Sequence, residues 1–134
     1  GINLAASSPA NFSPATIAAA NGHVDVLKYL KDEAGINLAA SDSEGNSPAT
    51  IAAGNGKIDV LRYLKDQAGI NLAASDSGGQ SPATIAAAKG HVDVLKYLHG
   101  QEIDLSVPDD RGRTPAFLAS TRGQQGALDY LNSL

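Results

Sequence analysis

Apolar and polar residues alternate along the chain in one recurring pattern, which is clearest in residues 81–98. Ser81 and the proline after it predict the start of a helix, because serine caps free backbone N–H groups and proline fits the first helical position. The alanine-rich residues that follow favour a helix of about two turns. Gly90 predicts the end of this helix, since glycine adopts the left-handed conformation that terminates helices.

A second helix is predicted directly after Gly90. Val92, Leu95 and Leu98 are spaced to form one apolar helix face, and an aspartate in the first turn suits the helix dipole. The alanines of the first helix are small, so a neighbouring helix can approach closely. We therefore expect Ile85 and the three residues of the apolar face to be buried when one such unit stacks on another.

The same unit occurs four times. Its Ser-Pro or Thr-Pro start recurs at intervals of 34, 34 and 33 residues, at Ser13, Ser47, Ser81 and Thr114. A fixed period of this length predicts a stack of repeats. We expect one domain over residues 1–134, with repeats at approximately 1–34, 35–68, 69–101 and 102–134.

The two ends of the chain differ from its middle. The heptapeptide Gly-Ile-Asn-Leu-Ala-Ala-Ser stands at residues 1–7, 35–41 and 69–75, so the chain begins inside a repeat and without an initiator methionine. We therefore expect it to be a piece of a longer array. In the last repeat Gln125 replaces an apolar residue of the other repeats, and this polar position predicts a terminal cap.

A turn signal precedes the later helix pairs. Asp42, Asp76 and Asp109 are each followed three residues later by a glycine. This spacing predicts a tight loop in which the aspartate accepts backbone N–H groups and the glycine has a positive φ. The first repeat has Ser-Pro-Ala-Asn at residues 8–11 instead, where asparagine can take the role of glycine.

These residues together resemble the ankyrin repeat family. The third repeat matches the family pattern at eight positions, namely Asp76, Gly79, Ser81, Pro82, Ala86, Ala87, Gly90 and His91. The tetratricopeptide family shares the period but expects a tryptophan, which this chain lacks. The resemblance implies an all-α repeat solenoid of stacked ankyrin repeats, each a helix-turn-helix with a hairpin-like loop.

The chain departs from the family where a leucine and a histidine usually follow the proline. It has Ala83 and Thr84 there in the third repeat, and Ala-Thr also in the first two. The family's histidine links adjacent loops, so we expect the threonine hydroxyls to replace part of that bonding.

Composition narrows the classes of partner. The net charge of −4 argues against a nucleic-acid or anionic-membrane surface, which would require clustered lysine and arginine. No cysteine, no signal-peptide pattern and no long apolar run are present, so we expect a cytoplasmic protein. We also expect the chain to be a monomer. His23 and His91 occupy equivalent repeat positions, which favours a structural role. We expect no enzymatic activity, no cofactor and no metal site.

The resemblance implies that loop tips and the exposed side of the first helices form a concave surface that binds a partner protein. The register places Ser43, Glu44, Asn46, Asn55, Ser77, Gln80 and Lys89 on it. Differences between the nearly identical second and third repeats fall at several of these positions.

Larger side chains occupy equivalent positions near the ends of the chain: Phe12, Asp110, Arg111, Arg113 and Arg122. Arginine and aromatic residues dominate binding energy at many interfaces, so we place a hot spot there. The alternative is that Phe12 covers the N-terminal edge and the arginines are only solvated.

Two functions remain open from the sequence. The first is a protein–protein interaction scaffold. The second is an architectural spacer or self-associating solenoid within a larger protein that carries its activity elsewhere, which the small polar residues of the middle repeats favour.

Overall fold

The computed structural model of the protein describes residues 14–134, which form eight helices and no strand. They are four pairs in chain order: α1 Pro14–Ala20, α2 Val24–Asp32, α3 Pro48–Gly54, α4 Ile58–Asp66, α5 Pro82–Lys89, α6 Val92–Gly100, α7 Pro115–Thr121 and α8 Gln125–Asn132. The helix-turn-helix prediction is therefore confirmed for each repeat in this range. The turn predicted at residues 8–11 lies outside the described residues.

The first helices α3, α5 and α7 begin as their sequences predict, whereas the predicted cap of α1, Ser13, lies outside the described residues. In α3 the Ser47 Oγ accepts the Thr50 backbone N–H at 3.3 Å, while the Thr50 Oγ1 accepts the Ser47 N–H at 3.0 Å. This reciprocal capping satisfies two backbone donors that a helix start leaves free. The end of α5 is the predicted one, since Gly90 is left-handed with φ of 78°.

The helices stack in two rows. The first helices pack in the order α1, α3, α5, α7, and the second helices pack in the order α2, α4, α6, α8. Alanines of the first row and leucines of the second form the buried core, which includes Ala52, Ala53, Ala86, Ala87, Leu61, Leu64, Leu95 and Leu98. The core thus lies between the rows and between successive repeats.

The predicted apolar face of α6 needs one correction. Leu95 and Leu98 are fully buried, but Val92 and Ile85 are only half-buried, and Val94 is fully buried in addition. Valine at this position is covered by the preceding repeat: it is 0% exposed at Val94, whereas the equivalent Val26 of the first described unit is 39% exposed. Burial here is therefore decided by stacking as well as by helix periodicity.

A ladder of four tyrosines runs along the second row, namely Tyr29, Tyr63, Tyr97 and Tyr130, and the last three rings each lie near a cation of the preceding repeat. Lys28, Arg62 and Lys96 lie 5.8–5.9 Å from the ring centroids of the tyrosines one repeat further on. From the sequence, the tyrosines lie in the second helix beside the core leucines and are expected to be half-buried with their hydroxyls reaching water. This expectation is wrong for Tyr97, whose hydroxyl is buried without a hydrogen-bond partner among the described residues. Burial, followed by the Asp66 carboxylate, raises the pKa of Tyr97.

The helices of residues 14–134 are short. The longest have 9 residues, and none has the length and apolar character that crossing a bilayer requires.

Candidate protein-binding surface

Each loop before a first helix is organised by one aspartate. The Asp42 Oδ1 accepts the backbone N–H groups of Glu44 and Asn46, both at 3.0 Å. The Asp42 N–H donates to the Asn46 carbonyl oxygen at 2.8 Å and closes the loop. These bonds hold the loop tip in one conformation, with Ser43 and Glu44 exposed.

Successive loops are joined to one another. The Gly78 N–H donates to the Gly45 carbonyl oxygen at 3.1 Å, and the Thr50 Oγ1 donates to the Asp76 Oδ2 at 2.7 Å. An equivalent bond of 3.2 Å joins Thr16 to Asp42. The prediction that threonine hydroxyls replace part of the family's bonding is therefore confirmed for the first two threonines.

The junction of the third and fourth loops is built differently. The Asp109 Oδ1 accepts the backbone N–H groups of Arg111 and Arg113 at 2.9 Å. Its Oδ2 accepts the Arg113 Nε at 2.9 Å and the Gln80 Nε2 at 3.0 Å. Burial acts to raise the pKa of Asp109, but these four bonds to the charged form outweigh burial and lower the pKa to about 2.

This network predicts a pH dependence of stability. Because the pKa of Asp109 is lower in the folded chain than its unfolded value of about 3.9, the ionised carboxylate stabilises the fold at higher pH. That contribution is fully present above about pH 4 and is lost as the pH falls through about 2. Urea unfolding of wild type and Asp109→Asn should therefore differ most near neutral pH and least near pH 2.

The matched control for this experiment is Asp110→Asn, which changes the exposed neighbouring carboxylate. We expect the stability difference from wild type to vary less with pH for this variant. The same pH dependence in both variants would contradict the role given to Asp109.

A groove opens between the loops and the first helices of the second and third repeats. Its volume is about 300 Å³. Four of the residues that the sequence selected line it together: Asn46, Asn55, Gln80 and Lys89. The other lining residues are Thr50, Ile51, Gly54, Asp76 and Ile85.

The groove has apolar walls and a polar rim. Ile51 and Ile85 are the half-buried isoleucines of α3 and α5. Between them Gly54 leaves room, because a Cβ there would lie 3.3 Å from the Ile85 Cγ1. On the rim, the Asn55 Nδ2 donates to the Ile51 carbonyl oxygen at 2.8 Å. Lys89 is exposed, so its charge is available at one edge of the groove.

The remaining predicted residues do not line this groove. Ser43, Glu44, Ser77, Asp110 and Arg111 are exposed at the loop tips, and Arg122 is exposed at the end of α7. Arg113 is half-buried, and its guanidinium is held by Asp109. Phe12 lies outside the described residues. The terminal hot spot of the sequence analysis therefore stays a prediction.

Sequence reasoning missed the walls of the groove. It placed Ile85 in the core, and it did not select Ile51, Thr50 or Asp76 for the binding surface. The sequence feature that could have indicated an open groove beside these isoleucines was Gly54, which stands where the first and third repeats have alanine.

The contacts of His91 agree with the structural role that its repeat position predicts. Its Nε2 lies 2.9 Å from the Gly54 carbonyl oxygen, which can only accept, so the bond ties α6 to the preceding repeat. Gln124 reaches the Ala88 carbonyl oxygen from the equivalent position at 3.3 Å. Within residues 14–134, no three His, Asp or Glu side chains are grouped so as to hold a metal ion.

Comparison with known families covers nearly the whole chain. A family model of ankyrin repeats in three copies matches residues 2–76. A second model, of ankyrin repeats in many copies, matches residues 55–99 and 83–131. A search among curated proteins returned no match. The family matches and the stacked helix pairs agree with each other, and the chain therefore belongs to the ankyrin repeat family.

Proposed function

We propose that this chain binds a partner protein through the groove between its second and third repeats. Ankyrin repeats are in general protein–protein interaction modules, and they are typically non-catalytic. The observation that carries the finer proposal is the convergence of Asn46, Asn55, Gln80 and Lys89 on one groove. These positions differ between two otherwise nearly identical repeats, so the repeat architecture alone does not dictate them.

The chemistry of the groove indicates what it accepts. Its volume of about 300 Å³ lies at the lower end of the range for ligand pockets, roughly 300–1,000 Å³. This size suits a side chain of a protein segment. The apolar walls of Ile51 and Ile85 favour an apolar side chain between them. Lys89 at the edge favours a carboxylate next to that side chain.

The test is a charge reversal in the groove. A displayed peptide library is selected on the 134-residue chain, and the dissociation constant of a selected peptide is measured for wild type and Lys89→Glu. We expect the variant to bind about tenfold or more weakly, because like charges across an interface disfavour binding strongly.

Lys65→Glu is the matched control, since it reverses an exposed lysine on the second helix of the preceding repeat. It should change the dissociation constant less than about twofold, as expected of a surface substitution away from an interface. Equal weakening by the two variants, or a selection that yields no binder, would speak against the groove.

The terminal hot spot is tested separately with Arg111→Ala combined with Arg122→Ala. This pair spares Arg113, which holds the buried Asp109 and so also serves the fold. Unchanged binding of the selected peptide would assign the two arginines to the solvated surface.

A second candidate function is an architectural or self-associating array. The small side chains of the two middle repeats favour it: Ala40, Ser43, Ala74 and Ser77 are exposed there, and none of the large apolar side chains of these two repeats is exposed.

A further inference from the structure

One position at the end of the first helices holds glycine in the second repeat and alanine in the first and third. Gly54 is the last residue of α3, and its equivalents are Ala20 and Ala88. Gly54 has no positive φ, so the backbone does not require glycine there. Alanine also has the higher helix propensity. The glycine therefore weakens the helix locally, and its position in the wall of the groove gives it another role.

A methyl group at Gly54 would crowd one wall of the groove. Its carbon would lie 3.3 Å from the Ile85 Cγ1, which is closer than the optimum of about 3.5–4.0 Å between carbon atoms. The backbone at this point is held in place, since the Gly54 carbonyl oxygen lies 2.9 Å from the Nε2 of His91. The methyl group and the displaced isoleucine side chain would thus take up space that is open in the wild-type groove.

The junction of the third and fourth repeats shows the closed form of the same arrangement. Ala88 and Leu118 stand there at the positions of Gly54 and Ile85. They are only 7% and 2% exposed. Ile85, in contrast, is half-buried and lines the groove. Alanine therefore accompanies a covered apolar wall, and glycine accompanies an open one.

The residue at the cation position of the groove varies independently of the glycine position. Each junction between successive repeats pairs one residue of the first kind with one of the second. In chain order the pairs are Ala20 with Asn55, Gly54 with Lys89, and Ala88 with Arg122. Among the three junctions within residues 14–134, an open apolar wall and a cation thus coincide only at the second.

We propose that Gly54 is the specificity-determining residue of the groove. It lets a large apolar side chain of the partner, such as leucine, lie between Ile51 and Ile85, while Lys89 selects an acidic residue next to it. This inference rests on the proposed function, because it specifies the protein segment that the same groove binds. It adds that the chain has one site of this specificity, since glycine and lysine meet at one junction.

The test compares peptides that differ only in the side chain that enters the groove. An alanine scan of the selected peptide on wild type identifies its most important apolar residue. Peptides with leucine or alanine at that position are then titrated calorimetrically. Wild type should bind the leucine peptide at least about tenfold more tightly, with one peptide per chain. Gly54→Ala should reduce this leucine-to-alanine ratio about tenfold, because one carbon in an apolar pocket has an effect of roughly this size.

The fold should survive the substitution, because alanine occupies this position in the adjacent repeats and favours the helix. Circular dichroism and a urea titration of Gly54→Ala check this directly. Gly100→Ala is the matched control: Gly100 is the last residue of α6, and nothing lies within 4 Å of a Cβ placed there. It should change the leucine-to-alanine ratio less than about twofold, as expected of a surface substitution.

Lys89→Glu separates this inference from the proposed function. It should weaken the leucine and alanine peptides by the same factor, because the charge and the apolar walls contact different residues of the segment. Weaker binding to Lys89→Glu together with a wild-type ratio in Gly54→Ala would overturn the role of Gly54 and leave the groove as the binding surface. No effect of Lys89→Glu, or a selection without binders, would remove the proposed function and this inference with it. Two or more peptides per chain would refute the single site.

Discussion

Leu95→Ala is expected to lower the free energy of unfolding by about 2–5 kcal/mol. Leu95 is fully buried in α6, where leucines and alanines of both helix rows meet. Truncation removes apolar contacts and leaves a cavity that the short surrounding helices can only partly close. Since domains of this size have stabilities of roughly 5–15 kcal/mol, the loss should be visible in a urea titration.

The stacked arrangement also predicts which helices are destabilised by Leu95→Ala. Each repeat is stabilised mainly by contact with its neighbours, so weakening the third repeat should uncouple the fourth. Amide hydrogen exchange in α7 and α8 should therefore accelerate in Leu95→Ala more than exchange in α3.

Val107→Ala is the control for this prediction, because Val107 is 53% exposed. It should change stability by no more than about 0.5 kcal/mol. A similar loss in both variants would show that the stability of the chain does not reside in its inter-repeat core.

Gly45→Ala is the substitution with the second largest expected effect. Gly45 has φ of 88°, a conformation that costs residues with a Cβ roughly 1–2 kcal/mol. A Cβ there would also lie 3.0 Å from the Gly78 nitrogen and 3.1 Å from its Cα. These are backbone atoms, and the Gly78 N–H donates to the Gly45 carbonyl oxygen, so the two loops must move apart. We expect a total loss of about 2–3 kcal/mol.

Gly35→Ala isolates the backbone part of this cost. Gly35 has φ of 67°, but nothing lies within 4 Å of a Cβ placed there. We expect it to destabilise by about 1 kcal/mol, from conformational strain alone. Denaturant titration of the two variants thus measures the contact between successive loops as a difference, and equal losses would refute that contact.

The helix pairs were predictable because their signals are local. Ser81 caps within one turn of its own position, and Gly90 ends its helix through its own φ. The loop aspartates were predictable for the same reason, since Asp42 bonds backbone groups only two and four residues ahead. Repetition then made these local signals specific, because each of them recurs at one register.

The binding surface was predictable only in part. Register and the differences between repeats led to Asn46, Asn55, Gln80 and Lys89, which do line one groove. The isoleucine walls were missed because an apolar residue in a helix is expected to be buried. Whether Ile85 is covered depends on Gly54 of the neighbouring repeat, which is 31 positions earlier in the chain.

The sequence by itself determined the helix pairs, their caps, the tight loops and the family, since each rests on interactions within a few residues and on their repetition. Only the tertiary structure decided which apolar residues are covered, as the exposure of Val26 beside the burial of Val94 shows. It also decided how Gln80 and Arg113 converge on Asp109. The physical reason is that burial and bonding between repeats depend on residues about 34 positions away in the chain. A local sequence pattern does not show how well those residues pack.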